Sequence, residues 1–175
     1  MRGRYVVDTN VLIAASAADP SHPADIDATP DEPALRQEIW QWLDRFQQST
    51  SRLVLDYCGE IRKEYDRKLG FNDFGIQVVM HKWSTAAVDN VTVDYDGDGH
   101  GILPASLTDV IHDNADKKMV AAALESHTQF GEGCIAFAGD TDWHDWEQVL
   151  LEHELLLEPI IEDWSRAKHV EKQAR

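Results

Sequence analysis

The apolar positions of this chain alternate between short β-branched runs and longer stretches of helical period. "RYVV", ending at residue 7, reads as a strand buried on both faces, because an unbroken β-branched run suits a parallel strand covered by helices. A helix is expected from about Val11. Residues 18–33, "ADPSHPADIDATPDEP", hold four prolines and no apolar period, so they are expected to form a loop, long for a compact domain. "PALRQEIWQWLDRFQQ" places Leu35, Ile39, Trp42, Leu43 and Phe46 on one helical face, with Pro33 suited to the first turn. "RLVLD" predicts a second strand, and "CGEIRKEYDRKLG" a helix capped at its end by Gly70. A helix over about 73–84, a short strand in "NVTVDY" and a Gly- and Asp-rich loop follow. "NADKKMVAAALESH" predicts a helix with an alanine-rich face. "CIAFAG" is a fourth buried strand, "DTDWHDWEQVLLEHE" a loop turning into a helix, "LLLEP" a fifth strand and "IIEDWSRAKHVEK" a terminal helix. Alternating strands and helices over 175 residues predict one α/β domain of three layers, α/β/α, on a mostly parallel sheet of about five strands.

This pattern leaves one feature unexplained. Asp8 closes an apolar strand, where a buried carboxylate without a partner is costly. In open parallel sheets the carboxyl ends of the strands form the ligand-binding edge. Other acids reach the same edge. Glu60 stands in the first turn of the helix after strand two, Asp116 in the first turn of the 114–127 helix, and Asp140 and Asp142 just after strand four. Right-handed crossovers bring strand ends and following helix starts together. Carboxylates gathered there would repel one another, and Mg2+ or Mn2+, hard cations with oxygen ligands, would neutralise them. Each acid has an ordinary alternative. Asp8 can cap the helix after it, Asp113 and Asp116 have the spacing of a capping box, Asp140 or Asp142 can cap the "WHDWEQVL" helix, and Glu60 can be a surface residue. Four coincidences at strand-end junctions favour the metal reading.

Charge changes the picture only partly. Sixteen basic against 32 acidic residues give a net −16, so the chain is not expected to hold nucleic acid through bulk charge. A phosphate substrate would need local cations. Arg62, Lys63, Arg67 and Lys68 follow Glu60 on its helix, and Lys117 and Lys118 follow Asp116; solvated helix faces are the equal alternative. No apolar stretch is long enough for a transmembrane helix, and Asp8 interrupts the N-terminal run too early for a signal peptide. Cys58 and Cys134, in segments expected to be buried, suit free thiols in a reducing cytoplasm. "DYDGDGHG" starts like a calcium loop, with Asp94, Asp96 and Asp98 at alternate positions. Ala105 stands where that loop needs a bidentate Glu, so Asp-Gly turn chemistry is expected instead. No CxxC or HExxH spacing suggests zinc. His144 is expected on a helix surface and the tryptophans in the core.

The pieces "VVDTNVLI", "GEI", "NADKKMVAAAL" and "AFAGDTDW", in this order, resemble the PIN-domain nucleases and span most of the chain. The resemblance implies a single PIN-like domain in which Asp8, Glu60, Asp116 and Asp140 bind metal and are catalytic. Asp142 matches an additional metal-binding acid, and Asn10 a polar substrate-side position. Glu64, one turn after Glu60, is the alternative at that place. It further implies a Mg2+- or Mn2+-dependent endonuclease, on RNA more than DNA, with Arg62, Lys63, Lys117 and Lys118 near the substrate phosphates. It leaves open an antitoxin-like protein partner and a homodimer, with no membrane attachment. The 18–33 and 94–113 segments look like insertions relative to compact toxin members. Two other readings compete: a non-catalytic interaction module on the same fold, and a phosphatase of the haloacid dehalogenase type. The latter needs an Asp two residues after the first acid, where this chain has Asn10.

Overall fold

A computed structural model describes residues 1–19 and 26–175 of the chain; the centre of the expected 18–33 loop, residues 20–25, lies outside the described residues. Five strands, β1 (Arg4–Val7), β2 (Arg52–Asp56), β3 (Val88–Val91), β4 (Cys134–Phe137) and β5 (Leu156–Pro159), form one sheet in the order β3-β2-β1-β4-β5. Every strand pair is parallel, where the sequence predicted a mostly parallel sheet. Helices flank the sheet in a three-layer α/β/α arrangement. They are α1 (Thr9–Ser16), α2 (Pro33–Gln48), α3 (Glu60–Lys68), α4 (Phe74–Ser84), α5 (Ala105–Thr108), α6 (Asn114–Phe130), α7 (Trp143–Glu152) and α8 (Glu162–Gln173).

The central strands are apolar along their length, as burial on both faces demands. Tyr5, Val6, Val7, Ile135, Ala136 and Phe137 are fully buried. On α6, Ala122 and Ala123 are also fully buried, and their small side chains let this helix lie close to the sheet. The order of strands matters for the site. It sets β1 beside β4, and the Asp8 N–H donates to the Ala136 carbonyl at 2.9 Å, so the chain leaves both strands at one place.

Several local expectations shift. α1 begins at Thr9, not near Val11, because Asp8 caps it. α3 ends at Lys68 with Leu69 extended, so Gly70 is not its left-handed cap; the Gly70 N–H donates instead to the Asp73 carboxylate at 2.7 Å. β3 runs Val88–Val91, earlier than "NVTVDY" suggested. Its register is set by pairing with β2, from Leu53 opposite Val88 to Asp56 opposite Val91. The 94–113 segment contains the short helix α5, and an antiparallel bridge between Tyr95 and Gly101 closes its Asp-rich turn. Both cysteines are free; Cys134 is buried, whereas Cys58 is exposed in the turn before α3. Among the described residues, no helix is long and apolar enough to cross a membrane.

Candidate metal centre

Asp8 leaves β1 and caps α1, but weakly. Its Oδ1 accepts the Asn10 N–H at 3.4 Å, while its Oδ2 is buried with no hydrogen-bond partner among the described residues. A capping role alone would satisfy the carboxylate better. Asp56, at the matching end of β2, shows the difference. Its two oxygens accept the Glu60 and Ile61 N–H groups, each at 2.9 Å, so it is a fully engaged cap of α3. Asp116 repeats the Asp8 condition on α6. The capping role there falls to Asp113, which accepts the Ala115 N–H at 2.7 Å, and Asp116 Oδ2 is buried and unpartnered. Asp140 follows β4 and accepts the Asp142 N–H at 3.0 Å.

These aspartates act on one another. Burial pushes the carboxyl of Asp8 far above the usual carboxylate range, and the negative charge of Asp140 and then Glu64 adds to it. The nearby Trp143 indole N–H offsets this in part, from outside good hydrogen-bond geometry. Asp116 is raised by burial, then by Asp8 and Asp140. Asp140 is raised chiefly by burial, with a small opposing effect from Lys172. No cation figures among the main influences on Asp8 or Asp116. Asp8, Asp116 and Asp140 thus lie close enough to disfavour one another's ionisation, and Asp8 Oδ2 and Asp116 Oδ2 are buried with no partner among the described residues.

On α3 it is Glu64, not Glu60, whose charge is felt by Asp8 and Asp116. Glu60 opens α3, and its side chain turns outward to Lys63 at 2.6 Å. Glu64 lies one turn further, about 5.4 Å along the axis. There it accepts the Thr9 hydroxyl at 2.5 Å and pairs with Lys118. The next residue, Tyr65, is buried and donates its hydroxyl to the Val7 carbonyl at 2.5 Å. Glu64 and Tyr65 thus grip the residues on either side of Asp8. Asp142, expected as a further metal ligand, has its carboxylate paired with Lys172 of α8, while its N–H donates to Asp140 and its charge helps to raise the Asp140 carboxyl.

Asn10, expected at a substrate-side position, makes an internal contact through its side-chain oxygen. Its Oδ1 accepts the Gly139 N–H at 2.8 Å and ties the exit of β4 to α1, which positions Asp140. Gly139 has to be glycine: a Cβ there would come within 2.2 Å of the Thr29 carbonyl oxygen. The expected phosphate contacts also redistribute. Arg62 pairs with Asp66 at 2.9 Å, Lys63 with Glu60, Lys117 with Asn114 at 2.8 Å and Lys118 with Glu64. Beside Glu64 and Lys118 opens a cleft of about 640 Å³, also lined by Arg67, Lys68 and His100. Arg67 and Lys68 are exposed and make no ion pair among the described residues, so they are the cations left available to an anion. A larger cleft, about 780 Å³, lies at the opposite edge against Arg2, Gly3 and Gly133, where the strands begin and no orphaned carboxylate is found.

Asp96, Asp98 and His100 gather on the exposed turn at the cleft rim, and among the described residues they are the group of three whose possible ligand atoms all lie within 4.8 Å of one another. Asp96 accepts the N–H groups of Asp98 and His100, each at 2.9 Å, which is the expected turn chemistry. His144, expected on a helix surface, is half-buried and contacts the Ser165 hydroxyl at 2.9 Å. Trp143 and Trp146 are buried as expected, while Trp83 is exposed.

Comparison with protein families, with curated proteins and with solved structures finds no match to this chain.

Proposed function

We propose that this chain is a PIN-like, metal-dependent endonuclease that hydrolyses phosphodiester bonds of RNA. The observation that carries the reading is that Asp8, Asp116 and Asp140 follow strand ends or open a helix at the carboxyl edge, near enough for their charges to act on one another, with Asp8 Oδ2 and Asp116 Oδ2 buried and unpartnered among the described residues. All-oxygen carboxylate donors fit Mg2+ or Mn2+ and do not favour soft metals, which prefer sulfur and nitrogen. Such an ion, when bound, supplies a water of lowered pKa and charge stabilisation at phosphate. The chain's own residues do the rest. Asp8, Asp116 and Asp140 would hold the ion, and Thr9 and Lys118 orient Glu64 beside it. Arg67 and Lys68 line the adjoining cleft, where a phosphate backbone would find positive charge despite the net −16 of the chain. The preference for RNA over DNA comes from the sequence resemblance.

A non-catalytic module would not need to leave carboxylate oxygens buried and unpartnered. A phosphatase of the haloacid dehalogenase type would need an acid at Asn10, whose side chain here serves the Gly139 backbone.

The test is incubation of the purified protein with labelled RNA and DNA, with Mg2+, with Mn2+ and with chelator. Metal-dependent cleavage of RNA that disappears in Asp116→Asn is expected. Cleavage in chelator, or undiminished cleavage by Asp116→Asn, would refute the proposal.

A further inference from the structure

Glu64 differs from the three aspartates in one respect: its charge is already answered. Oε1 accepts the Thr9 hydroxyl at 2.5 Å, and Oε2 pairs with the ammonium of Lys118. Lys118 is 7% exposed, an unusual place for a lysine. The 94–101 turn packs directly on its backbone: a Cβ on the facing Gly101 would lie 2.7 Å from the Lys118 Cα. The acidic centre therefore has two halves. One is a set of aspartates with orphaned oxygens. The other is a carboxylate saturated by a hydroxyl and a fixed cation.

We propose that Lys118 stands in for a second metal ion, so that the centre takes a single divalent cation, on Asp8, Asp116 and Asp140. This rests on the metal-centre reading above and deepens it. Nucleases that use two ions place them about 4 Å apart between shared carboxylates. Here a second ion on Glu64 would have to displace the ammonium. The displaced ammonium would then lie close to a divalent charge; of the other acids on the cleft, Glu60 already holds Lys63, and Asp98 lies out on the exposed turn. Like charges at such range in a half-buried site repel strongly. Lys118 also lines the cleft, so its charge, held on Glu64, adds to the positive field of Arg67 and Lys68 where a phosphate would lie. It thus does for the phosphate what a second ion would do.

The experiment counts Mn2+ per chain, by electron paramagnetic resonance of free ion and by calorimetric titration. It compares wild type with the neutral variants Lys118→Met and Lys118→Gln and the charge-preserving Lys118→Arg. Thermal melts check that each variant is folded, and two neutral variants guard against one that is not. One ion is expected in wild type and in Lys118→Arg. Two ions, with the spectral broadening of a spin-coupled pair, are expected in the neutral variants. Combining either with Glu64→Gln should return the count to one. Two ions in wild type overturn the proposal without reference to any variant. One ion in a folded neutral variant overturns it as well, because Lys118 would then exclude nothing. No ion in wild type removes the metal centre itself, a different failure that takes this proposal with it.

Discussion

The Tyr65 hydroxyl donates to the Val7 carbonyl at 2.5 Å, and this contact fixes the end of β1 one residue before Asp8. Tyr65 is fully buried on α3, so the same helix that carries Glu64 also clamps the strand that carries Asp8. The two acids are thereby set at a fixed spacing by adjacent residues. Tyr65→Phe keeps the ring and removes the donor. It is expected to cost about 1 kcal/mol of stability, the usual net worth of one hydrogen bond. It should also weaken manganese binding by loosening Asp8. Denaturant unfolding and a manganese titration read the two effects. An unchanged metal affinity would make the Tyr65 hydroxyl a stability element only.

Asp8→Asn keeps a capping side chain, since Asn caps helices about as well as Asp. It removes a carboxyl whose ionisation burial and the neighbouring acids disfavour. The metal-free variant should therefore be as stable as wild type, or more so. Wild type should gain about 2.7 kcal/mol from Mg2+ or Mn2+ at a hundredfold excess over the dissociation constant. The variant should gain far less and should not cleave RNA. Melts of both proteins with and without manganese decide this; equal metal-induced shifts would remove Asp8 from the ligands.

The metal-free protein should lose stability as pH rises from the ordinary carboxylate range, near 4, through neutrality. Asp8 and Asp116 have folded pKa values well above their unfolded ones, through burial and mutual repulsion. Over that window the folded chain holds more protons than the unfolded chain, so the stabilisation present at low pH is lost as these groups ionise. Saturating metal should reverse the local trend, because it binds only the ionised carboxylates. Urea unfolding at several pH values, with chelator or with manganese, measures both slopes. A metal-free stability that rises between pH 5 and 8 would contradict the burial of these charges.

Salt dependence of RNA binding distinguishes the free cations from the engaged ones. Arg67→Ala and Lys68→Ala should each flatten the plot of log affinity against log salt by about 0.7 for a single strand, the loss of one phosphate contact. Arg62→Ala and Lys63→Ala should change it less, because Asp66 and Glu60 already hold those side chains. Binding in chelator, where no cleavage intervenes, gives the slopes. Equal slopes in all four variants would return Arg67 and Lys68 to a solvated helix face.

The strands, the helices and the arrival of Asp8, Asp116 and Asp140 at one edge were legible in the sequence. These features are local or follow from topology. β-branched runs such as "RYVV" and the helical period of α2 report burial directly, and parallel crossovers oblige strand ends and helix starts to share an edge. Which further charged residues come near these aspartates was not legible in this way. Glu60 and Glu64 lie one turn apart on α3, and sequence period alone does not say which one reaches Asp8; the packing of α3 against Thr9 and Lys118 does. The pairing of Asp142 with Lys172, 30 residues away on α8, was not legible either. Asp56 looked like any strand end until the first turn of α3 was seen to satisfy it. Lys82 sits on α4 among apolar neighbours, fully buried, with its ammonium on the Ser49 and Ser51 carbonyls; nothing in "VVMHKWS" distinguishes it from a surface lysine. Composition and period determine which segments are buried and in what order they pack. Which charged side chain meets which is decided only by the tertiary structure, because a few ångströms of helix placement decide whether a carboxylate is paired, capped or left free.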